Sequence, residues 1–174
     1  MSLAADLLRI GDFRWSVNAN ASYNFNNINE LYNGVGEYEV SSTNLKLVVG
    51  HPVSEFYMVR YAGVNPANGD ALWYTKDGAI TNVYDEKDKV MLGKTFDAPW
   101  QGGFGTSLSW RGLTVSAHFS WVANRWMFNN DRFFEESNGL YTAYNQSRRL
   151  LYERWKQPGD VTEIPRHGVT PQID

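Results

Sequence analysis

The chain has 174 residues, enough for one ordinary domain with its own core. A formal charge of −3 and a pI near 5.6 give no basic field, so no nucleic acid partner is expected. The absence of cysteine excludes disulfide scaffolds and cysteine-based zinc or redox sites, and no apolar run approaches the roughly 20 residues of a spanning helix.

The opening "MSLAADLLRI" lacks the basic region and long apolar stretch of a signal peptide. With the "TPQID" end, it reads as the start of a piece cut from a longer chain. A first strand is predicted over about 4–10, followed by a turn at Ile10-Gly11-Asp12. The second, over about 12–26, holds "FRWSVNANASYNF" and alternates without a break. Phe13, Trp15, Val17, Ala19, Ala21, Tyr23 and Phe25 share one face; Arg14, Ser16, Asn18, Asn20, Ser22 and Asn24 share the other.

Residues 27–100 are polar, with short strand-like runs at 44–49 and 55–64 and turn signals at 65–70 and 76–78. Residues 101–110 and 113–123 read as a hairpin broken at Arg111-Gly112 and repeat the earlier alternation. Phe104, Thr106, Leu108 and Trp110 oppose Gly103, Gly105, Ser107 and Ser109; Leu113, Val115, Ala117, Phe119 and Trp121 oppose Thr114, Ser116, His118 and Ser120. Residues 124–174 are loop-like. One short helix is predicted within 138–157, where Tyr141, Tyr144, Leu151 and Trp155 form a rough stripe ended by Pro158-Gly159.

Strands of 9–11 tilted residues cross a bilayer. The small-polar face, with few charges, and the alternation of tight turns with very long connections suit a membrane barrel better than a solvated sheet. The fold class expected is therefore mainly β: antiparallel strands of a partial transmembrane β-barrel with long loops, 27–100 and 124–174, at one rim. Aromatic content of 15% with a mean hydropathy of −0.46 also fits the alternative, a soluble β-sandwich that binds carbohydrate.

The segments "GHPVSEFYMVRYAGVNPANGDALWY" (50–74), "LGKTFDAPWQGGFGTSLSWRGLTVSAHFSW" (92–121) and "RWKQPGDVTEIPR" (154–166) resemble the C-terminal barrel region of SusC/RagA-type TonB-dependent outer-membrane transporters of Bacteroidetes. The matching positions are Gly50, Pro52, Phe56 and Tyr57, then Tyr61, Gly63, Val64, Pro66, Gly69 and Asp70. They continue with Pro99, Gly102, Gly103 and Phe104, and end with Trp155, Pro158, Gly159, Asp160, Thr162, Pro165 and Arg166. The resemblance implies a segment of a 22-stranded pore in the outer membrane. Such a pore imports oligosaccharides or peptides, is capped by a SusD-like surface lipoprotein and is energised by TonB through N-terminal parts absent here. Bare strand edges beside an apolar face predict that the isolated piece needs detergent, refolding or self-association, and that its ordered form departs from the native one or pairs strands between molecules.

Little else carries chemistry. Asp85, Glu86 and Asp88 lack calcium-loop spacing and are interrupted by Lys87. Glu135-Glu136 is no glycosidase pair, since adjacent residues point apart. His51, His118 and His167 lack metal spacing. "GGFG" at 102–105 lacks the Lys-Ser/Thr of a phosphate loop. Neither enzyme activity, a cofactor nor a metal is expected. Trp73, Tyr74, Trp100, Trp126, Asn129 and Arg132 are the candidate ligand contacts: flat rings stack on sugars, and amides or guanidinium groups bond hydroxyls. The alternative for them is loop packing or contact with the lipoprotein.

Overall fold

The computed structural model describes residues 1–40, 43–141 and 143–168; the "TPQID" end lies outside them. In chain order the elements are β1 (Ser2–Ile10), β2 (Phe13–Tyr23), β3 (Glu37–Glu39), β4 (Lys46–Val48), β5 (Glu55–Met58) and β6 (Arg60–Val64). They continue with β7 (Ala71–Tyr74), β8 (Ile80–Thr81), β9 (Val90–Thr95), β10 (Trp100–Trp110), β11 (Leu113–Ala123), α1 (Asn130–Glu135) and α2 (Arg148–Tyr152). The chain divides into two units: residues 1–39, 47–55 and 94–127, and residues 40–46, 56–93 and 128–174.

The first unit is built on a four-stranded antiparallel sheet in the order β1-β2-β10-β11. Both hairpins close in two residues. Gly11 has φ 56, and Arg111 and Gly112 have φ 47 and 88, the positive dihedrals that match a tight turn to the twist of its strands. The long alternation is a matter of register. Phe104 stands between Ala19 and Phe119, Leu108 between Trp15 and Val115, and Trp110 between Phe13 and Leu113, so the apolar parity of three strands forms one surface.

β1 joins that surface through a bulge. Its pairing slips between Asp6 and Leu8, leaving Leu7 as the extra residue. Leu3 and Ala5 before the slip, and Leu8 and Ile10 after it, therefore all fall on the apolar face. Without the bulge, Leu8 and Ile10 would point to the polar side. The face is uncovered: Phe104 is 50% exposed, Phe119 52% and Val115 57%. Elsewhere in this unit, Ile28 is buried and tied by Ile28 N–H to His51 O (2.9 Å) and Gly50 N–H to Ile28 O (2.8 Å).

The second unit holds the meander β6-β7-β8 and a small core in which Ala71, Leu150 and Ile164 are buried. Two further two-stranded ladders, β3-β4 and β5-β9, complete the β structure. The short helix expected within 138–157 is present as Arg148–Tyr152, with Ser147 accepting from Arg149 N–H at its start; Asn138 and Gly139 have φ 55 and 94, which no helix accepts, and the stripe residues Tyr141 and Tyr144 lie outside it. A second short helix, α1, starts at Asn129, whose side chain accepts from Arg132 N–H. The chain is thus mainly antiparallel β with two short helices.

Candidate functional site

Two chemically opposite surfaces of one sheet are the site-bearing feature. On the polar side, Ser107 Oγ lies 3.0 Å from Ser116 Oγ and Ser109 Oγ 2.6 Å from Thr114 Oγ1. These are cross-strand hydroxyl pairs that leave lone pairs and protons for water. A Cβ on Gly105 would stand 2.9 Å from both Asn18 Oδ1 and His118 Cδ2. Glycine there lets an amide and an imidazole close over the strand. The surface is mostly hydroxyl, amide and glycine; its charged side chains are Arg9 and Arg14, paired near the tight-turn end, and Asp6, paired with Ser16.

On the apolar side, rings gather toward the two ends. Phe13, Trp110 and Leu113 mark the tight-turn end, where the Arg111 guanidinium lies 5.4 Å from the Trp110 ring. Tyr23 and Trp100 meet at the other end with centroids 4.6 Å apart, and Trp121 lies over Gly102. Between them, Phe104 and Phe119 stack at 4.7 Å. Trp15 Nε1–H donates to Thr106 Oγ1 at 2.9 Å, so each satisfies the other on the apolar side.

In the second unit, motif segments almost 90 residues apart form one fastener. Trp155 Nε1–H (3.0 Å) and Gly159 N–H (2.8 Å) both donate to Pro66 O. Gly69 lies under the Trp155 ring, and Arg166 Nε–H donates to Asp70 Oδ1 at 3.0 Å. Asp160 accepts from the N–H groups of Lys156 and Gln157, and Thr162 donates to Glu153 O. These residues resemble a family pattern because they interlock.

Tyr61 O–H donates to Glu163 O at 2.9 Å. Its pKa is pushed up to about 12, first by burial and then by the Glu163 charge. An unfolded tyrosine ionises near pH 10, so this contact stabilises the unit fully below pH 10 and is lost as the pH approaches 12. Tyr61→Phe is expected to lower stability by about 1 kcal/mol at neutral pH and to flatten the loss between pH 10 and 12. Thermal melts of both forms across that range check it.

The candidate contacts fall in different places. Trp73 packs edge-on against Tyr61 (5.1 Å) and Tyr84 (5.2 Å), and its buried Nε1–H has no hydrogen-bond partner among the described residues. With Arg132 it lines a cavity of about 170 Å³ in the second unit. Arg132 pairs with Glu136 at 2.6 Å, and Arg149 bridges Glu136 and Glu153 at 2.9 Å each. The Glu153 hydrogen bond, then the Glu136 charge, raise the Arg149 pKa above its ordinary value. Tyr74 lies under the Arg60 guanidinium at 5.2 Å, and Asn129 caps α1. Trp100 belongs to the end row of the apolar face, and Trp126 lies under Lys94 Nζ at 3.8 Å.

The acidic cluster is used internally: Asp85 accepts from Lys87 N–H, Asp88 from Lys76 N–H, and Glu86 pairs with Lys89. Among the described residues, no acidic or histidine group is arranged to hold a metal ion. His51 Nδ1 is 2.8 Å from Glu55 Oε2, and His167 Nδ1 is 3.0 Å from Asn138 Oδ1.

No family model and no curated protein matches the chain. Solved structures do. The chain is similar to the RagAB peptide transporter at a TM-score of 0.89 and 30% identity, over 98% of this chain and 19% of that one. It is similar to the RagAB peptide importer in its 'open-open' state (TM-score 0.87, 33% identity, 99% of this chain and 19% of that one). The 'closed-closed' state matches at 0.87 and 32%, over 99% of this chain and 20% of that one. The chain thus spans about a fifth of the length of the solved chains it matches. RagA is a SusC-type TonB-dependent transporter, and the resemblance read from the motifs is shown.

Proposed function

We propose that this chain, similar along its length to a segment of SusC/RagA-type transporters, forms a wall section of a transmembrane β-barrel in the outer membrane. The observation that carries this reading is the uncovered apolar face, kept continuous across four strands by the β1 bulge and opposed by a face made mostly of hydroxyls, amides and glycine. A sandwich would bury the first against a second sheet. The Trp100 and Trp110 rows are ten residues apart on β10. That is about 33 Å along a strand, or about 23 Å along the axis of a barrel with strands tilted by ~45°, close to the ~25 Å height of an outer-membrane apolar band.

In this reading, the apolar face meets lipid, the Asn/Ser/Gly face lines the lumen, and the connections 27–100 and 124–174 stand outside the cell. The complete transporter imports oligosaccharides or peptides with a SusD-like surface lipoprotein. TonB drives it through parts of the protein beyond this chain. The role of the chain is permeation and its gating surfaces, not reaction chemistry. Trp73, Tyr74, Trp126, Asn129 and Arg132 remain proposed contacts for the substrate or the lipoprotein, whereas Trp100, in the end row of the apolar face, is read as a ring at the lipid–water boundary.

Deleting residues 100–123 from the full transporter is expected to abolish both outer-membrane assembly and uptake, because it removes two neighbouring wall strands. Heat-modifiable gel mobility and cell fractionation check this. A soluble, monodisperse, glycan-binding monomer from residues 1–174 alone would instead support the carbohydrate-binding sandwich.

A further inference from the structure

We infer that Asn33-Gly34, in the long connection 27–100, is a site of spontaneous chemical modification at which the Asn33 carboxamide is lost through a cyclic imide, leaving aspartate or isoaspartate. The chain contains three Asn-Gly pairs, beginning at 33, 68 and 138. A following glycine favours this chemistry, because it has no Cβ to hinder its own nitrogen and moves freely through the dihedral angles that attack requires. Besides the protein's own atoms the reaction needs only water. The Gly34 nitrogen attacks Asn33 Cγ, forming the N–Cγ bond; the Cγ–Nδ2 bond breaks, and ammonia leaves with the proton that the Gly34 amide gives up. Water then opens the ring. Hydrolysis at Cγ keeps the original peptide bond and leaves aspartate, whereas hydrolysis at the main-chain carbonyl carbon leaves isoaspartate, with the chain routed through Cβ and Cγ.

Turn shape does not separate the three pairs, since Gly34, Gly69 and Gly139 all have positive φ (70, 76 and 94). What separates them is how each carboxamide is held. Asn68 Nδ2–H donates to Asp70 Oδ2 (2.8 Å), and its Oδ1 accepts from Asp70 N–H (3.1 Å). Gly69 lies under the Trp155 ring, and its N–H is spent on Asn65 O at 2.7 Å. Asn138 Nδ2–H donates to Arg166 O (2.9 Å), and its Oδ1 is 3.0 Å from His167 Nδ1. Both side chains are thus fixed at two atoms, away from the following nitrogen.

Asn33 is exposed, and its carboxamide makes no hydrogen bond among the described residues. It sits with φ 56 and ψ 22 in a single 3-10 turn, Tyr32–Gly34. Attack requires Gly34 N–H to leave Leu31 O (3.1 Å) and Asn33 to rotate about ψ. Only one further backbone bond braces the turn, Val35 N–H to Tyr32 O at 3.5 Å, which is long for such a bond. A Cβ at Gly34 would meet nothing within 4 Å, so neighbours do not hold the turn shut, and openings of this local kind cost little. The change alters a surface. With Leu31, Tyr32, Val35, Tyr38 and Leu47, Asn33 lines an open groove of about 420 Å³ that has no charged residue in its lining. Either product places a carboxylate there, and isoaspartate also lengthens the main chain of the turn.

The test ages the full transporter in detergent at mildly alkaline pH and follows each Asn-Gly pair by peptide mapping and mass spectrometry. A sample kept unfolded in guanidinium gives the reference, in which the three sites are expected to convert at similar rates. In the folded protein Asn33 should convert at least about tenfold faster than Asn68 or Asn138, each of which has two hydrogen bonds to break first. Its product should be a mixture of isoaspartate and aspartate, the mark of the imide. Gly34→Ala is expected to slow conversion at position 33 severalfold and to leave the other two sites as they were. Equal rates at the three sites of the folded protein, or slower conversion at Asn33 than at either of the others, overturns the assignment. Aspartate without isoaspartate at position 33, or an unchanged rate in Gly34→Ala, overturns the imide route.

Discussion

Ala117→Arg is expected to cost the full transporter about 2–4 kcal/mol of folding stability in a bilayer, whereas Ser120→Arg should change it by less than about 1 kcal/mol. The two positions are three residues apart on β11 and on opposite faces. Ala117 pairs with Thr106 near the middle of the apolar face, and Ser120 pairs with Gly103 on the polar face. Alanine is the informative choice because little packing is lost with it. The cost comes from holding a guanidinium in hydrocarbon, where no water compensates its lost hydration. Urea titration of barrels refolded into vesicles reads both values. Equal costs at the two positions would mean that the faces do not meet different solvents.

Gly69→Ala is expected to destabilise the second unit by roughly 2–4 kcal/mol, through backbone strain and overpacking together. Gly69 has φ 76, and a Cβ there would stand 2.5 Å from the Trp155 ring and 2.9 Å from Arg166 Cβ. The ring cannot retreat freely, because its Nε1–H is committed to Pro66 O. The Trp155–Arg166 stretch should then detach from the Asn65–Asp70 turn and become sensitive to protease while the four-stranded sheet persists. Trp155→Ala is the companion variant: it removes the obstacle, so the added cost of Gly69→Ala in that background should fall to the strain of the dihedral alone. Protease mapping and hydrogen exchange of the full chain separate these outcomes.

The sheet was legible because period-two alternation is a direct consequence of strand geometry and survives without any tertiary information. The β1 bulge was not. Leu7 and Leu8 are both apolar, so nothing local says which of them is the extra residue; only pairing with Ser16 and Trp15 decides it. The helical stripe over 138–157 was misleading for a related reason. Tyr141 and Tyr144 recur at helical spacing yet pack as rings against Phe134, at 4.9 and 5.1 Å, in a segment whose Asn138-Gly139 dihedrals exclude a helix. The cap at Asn129 was a visible signal for α1, overlooked because the helix is only 6 residues long. The fastener between 65–70 and 154–166 has no periodicity, and its order in the chain showed only through the family pattern. Of the candidate contacts, aromatic and amide type selected residues whose neighbours only the fold supplies. Trp73 and Arg132 share a cavity lining, while Trp100 and Trp126 lie in the other unit.

In the proposed barrel wall, hydrocarbon touches one face of the sheet and water the other. The chain contains no cysteine, so single cysteines can be placed in turn at positions 113–123 of the full transporter, otherwise freed of cysteine, labelled with an environment-sensitive fluorophore and reconstituted in vesicles. Lipid-borne quenchers should act on labels at 115, 117, 119 and 121, and aqueous quenchers on those at 114, 116, 118 and 120. A run of labels without that alternation, or with every position open to the aqueous quencher, would contradict the account.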